Sequence, residues 1–338
     1  MKGRLGLVIR LAVSAALVAW IFSRTNFREV WAAFRSADLV PVLLAAALNP
    51  LGYYFSVSRW RLLLRAQGYD VPFGFLLRSF LVGVFFNNLL PGTVGGDAAR
   101  AWQSSRAGTG KTRALAVVLV DRFLGLFTLM LFAGVGALLS PELTGAVPGL
   151  RAWVTVLLIG MAIGTALIFF PPPALSRRVG TFLASARLRN KWGARSRHAW
   201  DSLRAFQGKA RVLTGALAWS VGLQTMVVLN GYFLAKAVHV ELPLLVYFVL
   251  VPLAVFVMMA PVSINAIGVR ENVWAFFFAA LGVAGAAAAG VAFAWLDYGL
   301  VVLQALVGGL VYATSRAARS PVAEAVPIAA APQEGGLR

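Results

Sequence analysis

Apolar residues fill long stretches of the chain, and the places where they stop are as informative as the runs themselves. Runs of spanning length occur at about 5–23, 39–56, 113–139, 152–170, 212–235, 243–260 and 272–314. A membrane-crossing helix needs roughly 20 predominantly apolar residues. The last run has room for more than one pass. The first, Leu5 to Ser23, lacks a small-x-small exit, so it reads as a retained helix and not a cleavable signal peptide. The stretch 73–90 departs from the pattern. Between Arg78 and Asn87 it holds only "SFLVGVFF", and "NNLLPGTVGGDAARAW" follows. That is too short for a simple crossing.

Charge gives the sidedness. Residues 57–79 carry Arg59, Arg61, Arg65 and Arg78 against Asp70; residues 97–113 carry Arg100, Arg106, Lys111 and Arg113 against Asp97. Two basic flanks place both stretches in the cytoplasm. The intervening segment then enters and leaves on one side, as a re-entrant hairpin surrounded by protein or a water-filled cavity. Ten basic residues against Asp201 make 173–211 a cytoplasmic loop. It is expected to hold a basic amphipathic helix that meets anionic headgroups through residues such as Leu188, Trp192 and Trp200. The nearly neutral 236–242 belongs outside. Lys2 and Arg4 put the N-terminus inside, and the Ala/Pro/Glu/Gly-rich tail 316–338 reads as disordered and cytoplasmic.

The two polar breaks resemble each other. The first reads Pro91-Gly92-Thr93-Val94-Gly95-Gly96, with Arg100 nine positions after the proline. The second reads Pro261-Val262-Ser263-Ile264-Asn265-Ala266, with Arg270 at the same offset. Trp102 and Trp274 follow. The first break is approached from the cytoplasm and the second from outside, as expected of inverted repeats. Six positions are also few enough to match by chance. The pattern predicts an all-α polytopic membrane protein with about eight membrane segments, two of them re-entrant or broken, in inverted repeats of about 1–150 and 151–315.

Composition narrows the chemistry. The chain is 60% hydrophobic with a mean hydropathy of +0.79, so the bilayer is the solvent for most of it. Only 13% of residues are charged, yet the net charge is +19. In such a chain the excess reads as topology and not as nucleic-acid binding. No cysteine is present, which removes disulfides, thiol catalysis and thiolate metal sites. His198 and His239 are far apart, so no cofactor or metal is expected. "GTGKT" at 108–112 has Ser105 where a phosphate loop needs glycine, and no strand precedes it.

Several polar residues sit at membrane depth. Pro91 stops a helix, and Gly92, Gly95 and Gly96 permit close approach of a ligand. Asp97 suits an N-cap, and the new helix start with Arg100 would favour a phosphate. A capped interfacial loop with Arg100 snorkelling to headgroups fits equally well. Arg270 and Glu271 are adjacent charges that need separate partners; either Glu271 meets an arginine of the first break or both charges sit at an interface. Asp121 and Arg122 interrupt another apolar run, either along a polar path or as a structural ion pair. Asp297 is a lone acid beside Tyr298. Asn87, Asn88, Ser263 and Asn265 either line the same cavity or join helices by hydrogen bonds.

"FFNNLLPGTVGGDAARAW", "ALAVVLVDRFLGL" and "APVSINAIGVRENVW" together resemble the lysylphosphatidylglycerol synthase/flippase transmembrane family. The resemblance spans roughly 5–315. Larger members join this region to a soluble domain that transfers an aminoacyl group from tRNA to phosphatidylglycerol. The chain ends some twenty residues after its last membrane segment, so that domain is expected to be absent. The resemblance implies a single flippase-like domain over 1–315. It would move an anionic or phosphate-bearing, optionally aminoacylated, lipid between leaflets of a bacterial cytoplasmic membrane without ATP hydrolysis. Substrate contacts are expected from Asn87, Asn88, Thr93, Gly95, Gly96, Asp97, Arg100, Asp121, Arg122, Ser263, Asn265, Arg270 and Glu271. Partners would be a phospholipid or polyprenyl-phosphate lipid and, through 173–211, anionic headgroups; a homo-oligomer is compatible with the sequence. Two other readings stand beside this one. One is a membrane-embedded enzyme modifying a lipid headgroup through Asp97, Asp121 or Glu271. The other is a non-transporting, lipid-binding partner of another membrane enzyme.

Overall fold

The computed structural model describes residues 27–89, 95–140, 149–169, 206–260 and 263–317, with 145, 172, 174, 177–178, 181, 204 and 326–327 besides. The first apolar run, the helix expected in the basic loop, Thr93, Pro91, Pro261 and most of the tail lie outside the described residues.

The described chain is helical almost throughout. A short helix, α1 (Phe27–Arg35), leads into α2 (Leu39–Ala66), α3 (Phe73–Leu89) and α4 (Gly95–Ser104). A π-helical turn, Ser105–Thr109, then passes into α5 (Lys111–Leu139) and α6 (Leu150–Phe169). Next come α7 (Ala210–Ala237), α8 (Leu244–Met258), a 3₁₀ turn at Ile264–Ala266, α9 (Val269–Ala280) and α10 (Ala286–Ala317). Among the described residues, α2, α5, α7 and α10 contain the four helices long and apolar enough to cross a membrane. The segment 272–314 does hold two helices, parted by a turn in which Gly282 and Gly285 have positive φ. Glycine adopts that conformation without steric cost.

The same order of elements occurs twice. A long helix (α2, α7) is followed by a short one (α3, α8), a break, a second short one (α4, α9) and another long one (α5, α10). The two leading helices, each 28 residues long, pack antiparallel along their whole length. The Asp38 amide donates to the Ala237 carbonyl at 2.9 Å at one end. At the other, Lys209 donates to the Ala66 carbonyl. Small residues set the spacing, as expected where no hydrophobic effect drives helices together. The ring of Phe55 lies over Gly222, and Leu62 over Gly215.

Pro50 lies inside α2, where it removes the amide that would bond the carbonyl of Ala46. The Asn49 side chain donates to that carbonyl at 3.3 Å and to Ala45 at 3.1 Å. Asn230 of α7 donates to Ala45 as well, at 3.0 Å. Freed backbone groups are re-satisfied in this way inside a membrane helix.

The first short helix of each half, α3 or α8, packs on the final long helix of the other half. Gly308 of α10 lets the α3 backbone approach so closely that an added Cβ would lie 2.1 Å from the Leu81 carbonyl oxygen. Gly136 of α5 does the same for α8, where a Cβ would lie 2.7 Å from a Val249 methyl. Outward faces are apolar: Val156, Ile159 and Ile163 on α6 and Leu303, Leu306 and Leu310 on α10 are exposed. Lipid tails solvate such faces and water does not.

At the end of α2, Arg65 and Arg61 hold the Asp70 carboxyl below the usual carboxylate range, chiefly through the Arg65 hydrogen bonds at 2.9 Å. Tyr69–Asp70 also pairs antiparallel with Val326–Pro327 of the tail.

Candidate functional site

The first break brings two helices together face to face. Gly83 of α3 and Gly96 of α4 touch through their backbones: a Cβ on Gly96 would lie 2.4 Å from the Gly83 carbonyl oxygen. The Asn87 side-chain carbonyl accepts from the Gly96 amide at 2.6 Å. The start of α4 is thus capped from α3. Asp97, expected as the N-cap, stands in the first turn of α4, which Gly95 opens.

From that turn Asp97 accepts both Nε (2.7 Å) and Nη2 (2.9 Å) of Arg122 on α5. One turn later Arg100 donates through Nη2 to Asp121 Oδ2 at 3.2 Å. Its Nη1 lies 3.9 Å from Asp97. The other oxygen of Asp121 accepts from Arg59 Nε at 2.6 Å, and Arg59 Nη1 donates to Ser220 of α7 at 2.7 Å. The side chains of Arg59, Arg100 and Asp121 are only 5%, 6% and 1% exposed, whereas Arg122 is 42% exposed. Arg100 also lies 4.3 Å from the ring centroid of Trp60, a cation–π contact. Glycine makes room again at Gly125, one turn after Asp121, where a Cβ would lie 3.4 Å from Arg59 Nη1.

Asp121 and Arg122 are therefore not an ion pair with each other; their side chains diverge to different partners. Arg59 is not the cytoplasmic flank charge that the apolar run ending at 56 implied. The helix continues to Ala66, and the guanidinium turns inward to a carboxylate. Arg59, Ser220 and Gln224, which donates to the Gly125 carbonyl at 3.1 Å, were missed as site residues. The available signal for Arg59 was its position inside a continuous helical pattern, "SVSRWRLLL", that needed an acid opposite.

The second break has its own geometry. Asn265, Ala266 and Gly268 have positive φ, and α9 begins immediately after. The Gly268 amide donates to Glu271 at 2.8 Å. Glu271 thus caps its own helix instead of meeting an arginine of the first break. Arg270 pairs with Asp297 of α10 at 3.2 Å and lies 5.2 Å from the Tyr298 ring. Each half thus joins an arginine of its short second helix to an aspartate of its final long helix. The two breaks also touch directly: Asn265 donates to the Asn88 side-chain carbonyl at 2.9 Å. Asn87 and Asn88 both serve as helix-joining hydrogen bonds. Ser263 is buried, and its hydroxyl has no hydrogen-bond partner among the described residues. The tryptophans that follow the breaks are not equivalent. Trp102 is exposed, whereas Trp274 is buried against Phe293 at 4.1 Å between ring centroids.

A cavity of about 410 Å³ collects this chemistry. Its wall includes Arg59, Asn87, Asp97, Arg100, Asp121 and Arg122, and also Asp297. Arg100 lines it directly, and Arg270 reaches it through its partner Asp297. Apolar side chains, among them Phe80, Leu126 and Val255, complete the wall. No group of His, Asp and Glu suited to a metal ion occurs among the described residues.

The sequence comparisons agree with this architecture. Residues 7–308 match the family described as the lysylphosphatidylglycerol synthase TM region. A UPF0104 membrane protein of Methanothermobacter thermautotrophicus is 25% identical over 303 residues, covering 83% of this chain and 86% of that protein. With the match running through nearly all of the helical region, the chain belongs to the lysylphosphatidylglycerol synthase transmembrane-region family.

Proposed function

We propose that this membrane protein moves an anionic, phosphate-bearing lipid between leaflets, without ATP hydrolysis. The observation that carries the reading is the positive cavity wall. Arg59, Arg100 and Arg122 face Asp97 and Asp121 on α2, α4 and α5, with Asp297 offset by Arg270, beside an apolar wall that suits acyl chains. Charges at that depth are costly unless paired and mark substrate pathways. The helices on either side of the two breaks, α3 with α4 and α8 with α9, act as two re-entrant hairpins, one reached from each side, and the antiparallel α2/α7 pair supports an inverted relation between the halves. Both termini are then cytoplasmic, in the inner membrane of a bacterium.

The test is leaflet exchange of a fluorescent phosphatidylglycerol in vesicles holding the purified chain, with a membrane-impermeant quencher reading the outer leaflet. Wild type is expected to speed exchange over empty vesicles. Arg100→Gln and the milder Arg122→Gln, at the half-exposed position, are expected to slow it by about tenfold or more, as for loss of a charge-assisted contact. Equal rates for wild type and empty vesicles would overturn the proposal.

A further inference from the structure

We infer that the cavity selects a headgroup with one net negative charge and rejects one made cationic by aminoacylation; the inference rests on the lipid-binding reading above. The argument concerns which charges on the wall are already satisfied. Both oxygens of Asp97 accept from Arg122, and the oxygens of Asp121 are divided between Arg59 and Arg100. Asp297, the remaining acid on the wall, is paired with Arg270 at 3.2 Å. Every carboxylate on the wall thus already has an arginine beside it, those of Asp97 and Asp121 with both oxygens engaged. Two buried polar atoms of wall residues lack hydrogen-bond partners among the described residues: Arg100 Nε and the Tyr53 hydroxyl. An unpartnered buried donor calls for an acceptor.

The charge count agrees. Arg59, Arg100 and Arg122 against Asp97 and Asp121 leave one positive charge, and Arg270 with Asp297 leaves none. A phosphodiester carries one negative charge and offers only acceptor oxygens, so it neutralises the wall. A lysyl ester adds two ammonium groups to that phosphate, so the headgroup meets a wall of its own sign. Like charges brought together in this setting oppose binding. The family's printed description names lysylphosphatidylglycerol, but the wall of this chain suits the unesterified lipid.

Binding to the full chain in detergent, read by native mass spectrometry and thermal shift, tests the inference. The probes are phosphatidylglycerol, lysylphosphatidylglycerol with the same acyl chains, and inorganic phosphate. Phosphatidylglycerol is expected to bind, with the lysyl ester about tenfold weaker or worse. Phosphate alone is expected to be weaker than the lipid, because it leaves the apolar wall empty. Arg122→Gln removes one positive charge and frees Asp97, so the preference for phosphatidylglycerol over the lysyl ester should shrink or invert. Equal or tighter binding of the lysyl ester by wild type overturns the inference. So does an unchanged preference in a folded Arg122→Gln protein, and phosphate binding as tight as the lipid overturns the lipid as source. Selective binding without leaflet exchange would sink the transport reading and leave the selectivity standing. Exchange that favours the lysyl ester would do the reverse.

Discussion

Asp121 holds two arginines apart. With it in place, Arg59 and Arg100 share a carboxylate across three helices, and Ser220 steadies the first of them. Without it, two guanidiniums face each other at a site where burial removes water's screening. Breaking a buried pair by deleting one partner costs about 3–5 kcal/mol, because the survivor stays buried and uncompensated. Asp121→Asn is therefore expected to lower thermal stability markedly in detergent, and far more than Asp70→Asn, whose carboxylate is half-exposed and worth little. Differential scanning of the two variants checks the ranking; equal stabilities would mean the buried network is slack. The acid itself was legible in the sequence, as a charge interrupting an apolar run. Its partners were not, since pairing across 62 positions leaves no local trace and only packing brings Arg59 opposite.

Among the helices, the matched ion pairs define the symmetry best. Arg100 and Arg270, each nine positions after a proline, both reach an aspartate on the long helix that follows, at 3.2 Å in each case. The spacing after the prolines was readable from the chain. The asymmetry was not. The first pair sits in a network with Arg59, Arg122 and Asp97, whereas the second stands almost alone beside Tyr298. Glu271 illustrates why. A glutamate three positions after a glycine has a local partner in the helix's own start, and a local contact with the Gly268 amide forms at less entropic cost than a distant ion pair. The second pair should therefore tolerate reversal better than the first. Arg270→Asp combined with Asp297→Arg is expected to recover most of the stability lost by either alone, as in a double-mutant cycle with a large coupling term. The analogous swap of Arg100 and Asp121 should not, because Arg59 and Asp97 stay in their old places. Failure of the first swap to recover stability would show that α9 and α10 are held by packing alone.

For the whole molecule, the decisive question is whether α3 and α4 cross the membrane or turn back. The all-α class and the four long apolar helices among the described residues followed from hydropathy, because lipid forces backbone groups into helices. The short apolar run argued against a simple crossing, but α3 has 17 residues, close to a crossing, so the basic flanks carry most of the case for return. Those flanks remain basic even with Arg59 and Arg100 withdrawn into the site, since Arg61, Arg65 and Arg78 stand against Asp70, and Lys111 and Arg113 follow α4. Contact between Gly83 and Gly96 supports return as well, because it brings α4 back along α3. The chain has no cysteine, so single introduced cysteines report their side of the membrane without background. Gly74→Cys, in the first turn of α3, and Ser105→Cys, after α4, should both react with an impermeant thiol reagent only from the cytoplasmic face. Glu241→Cys, before α8, and Ala284→Cys, after α9, should both react only from the outside. A straight crossing by α3 and α4 would put Gly74 and Ser105 on opposite faces. If Glu241 and Ala284 still share one face, the inversion then fails, because two halves related by an in-plane two-fold must both turn back or both cross.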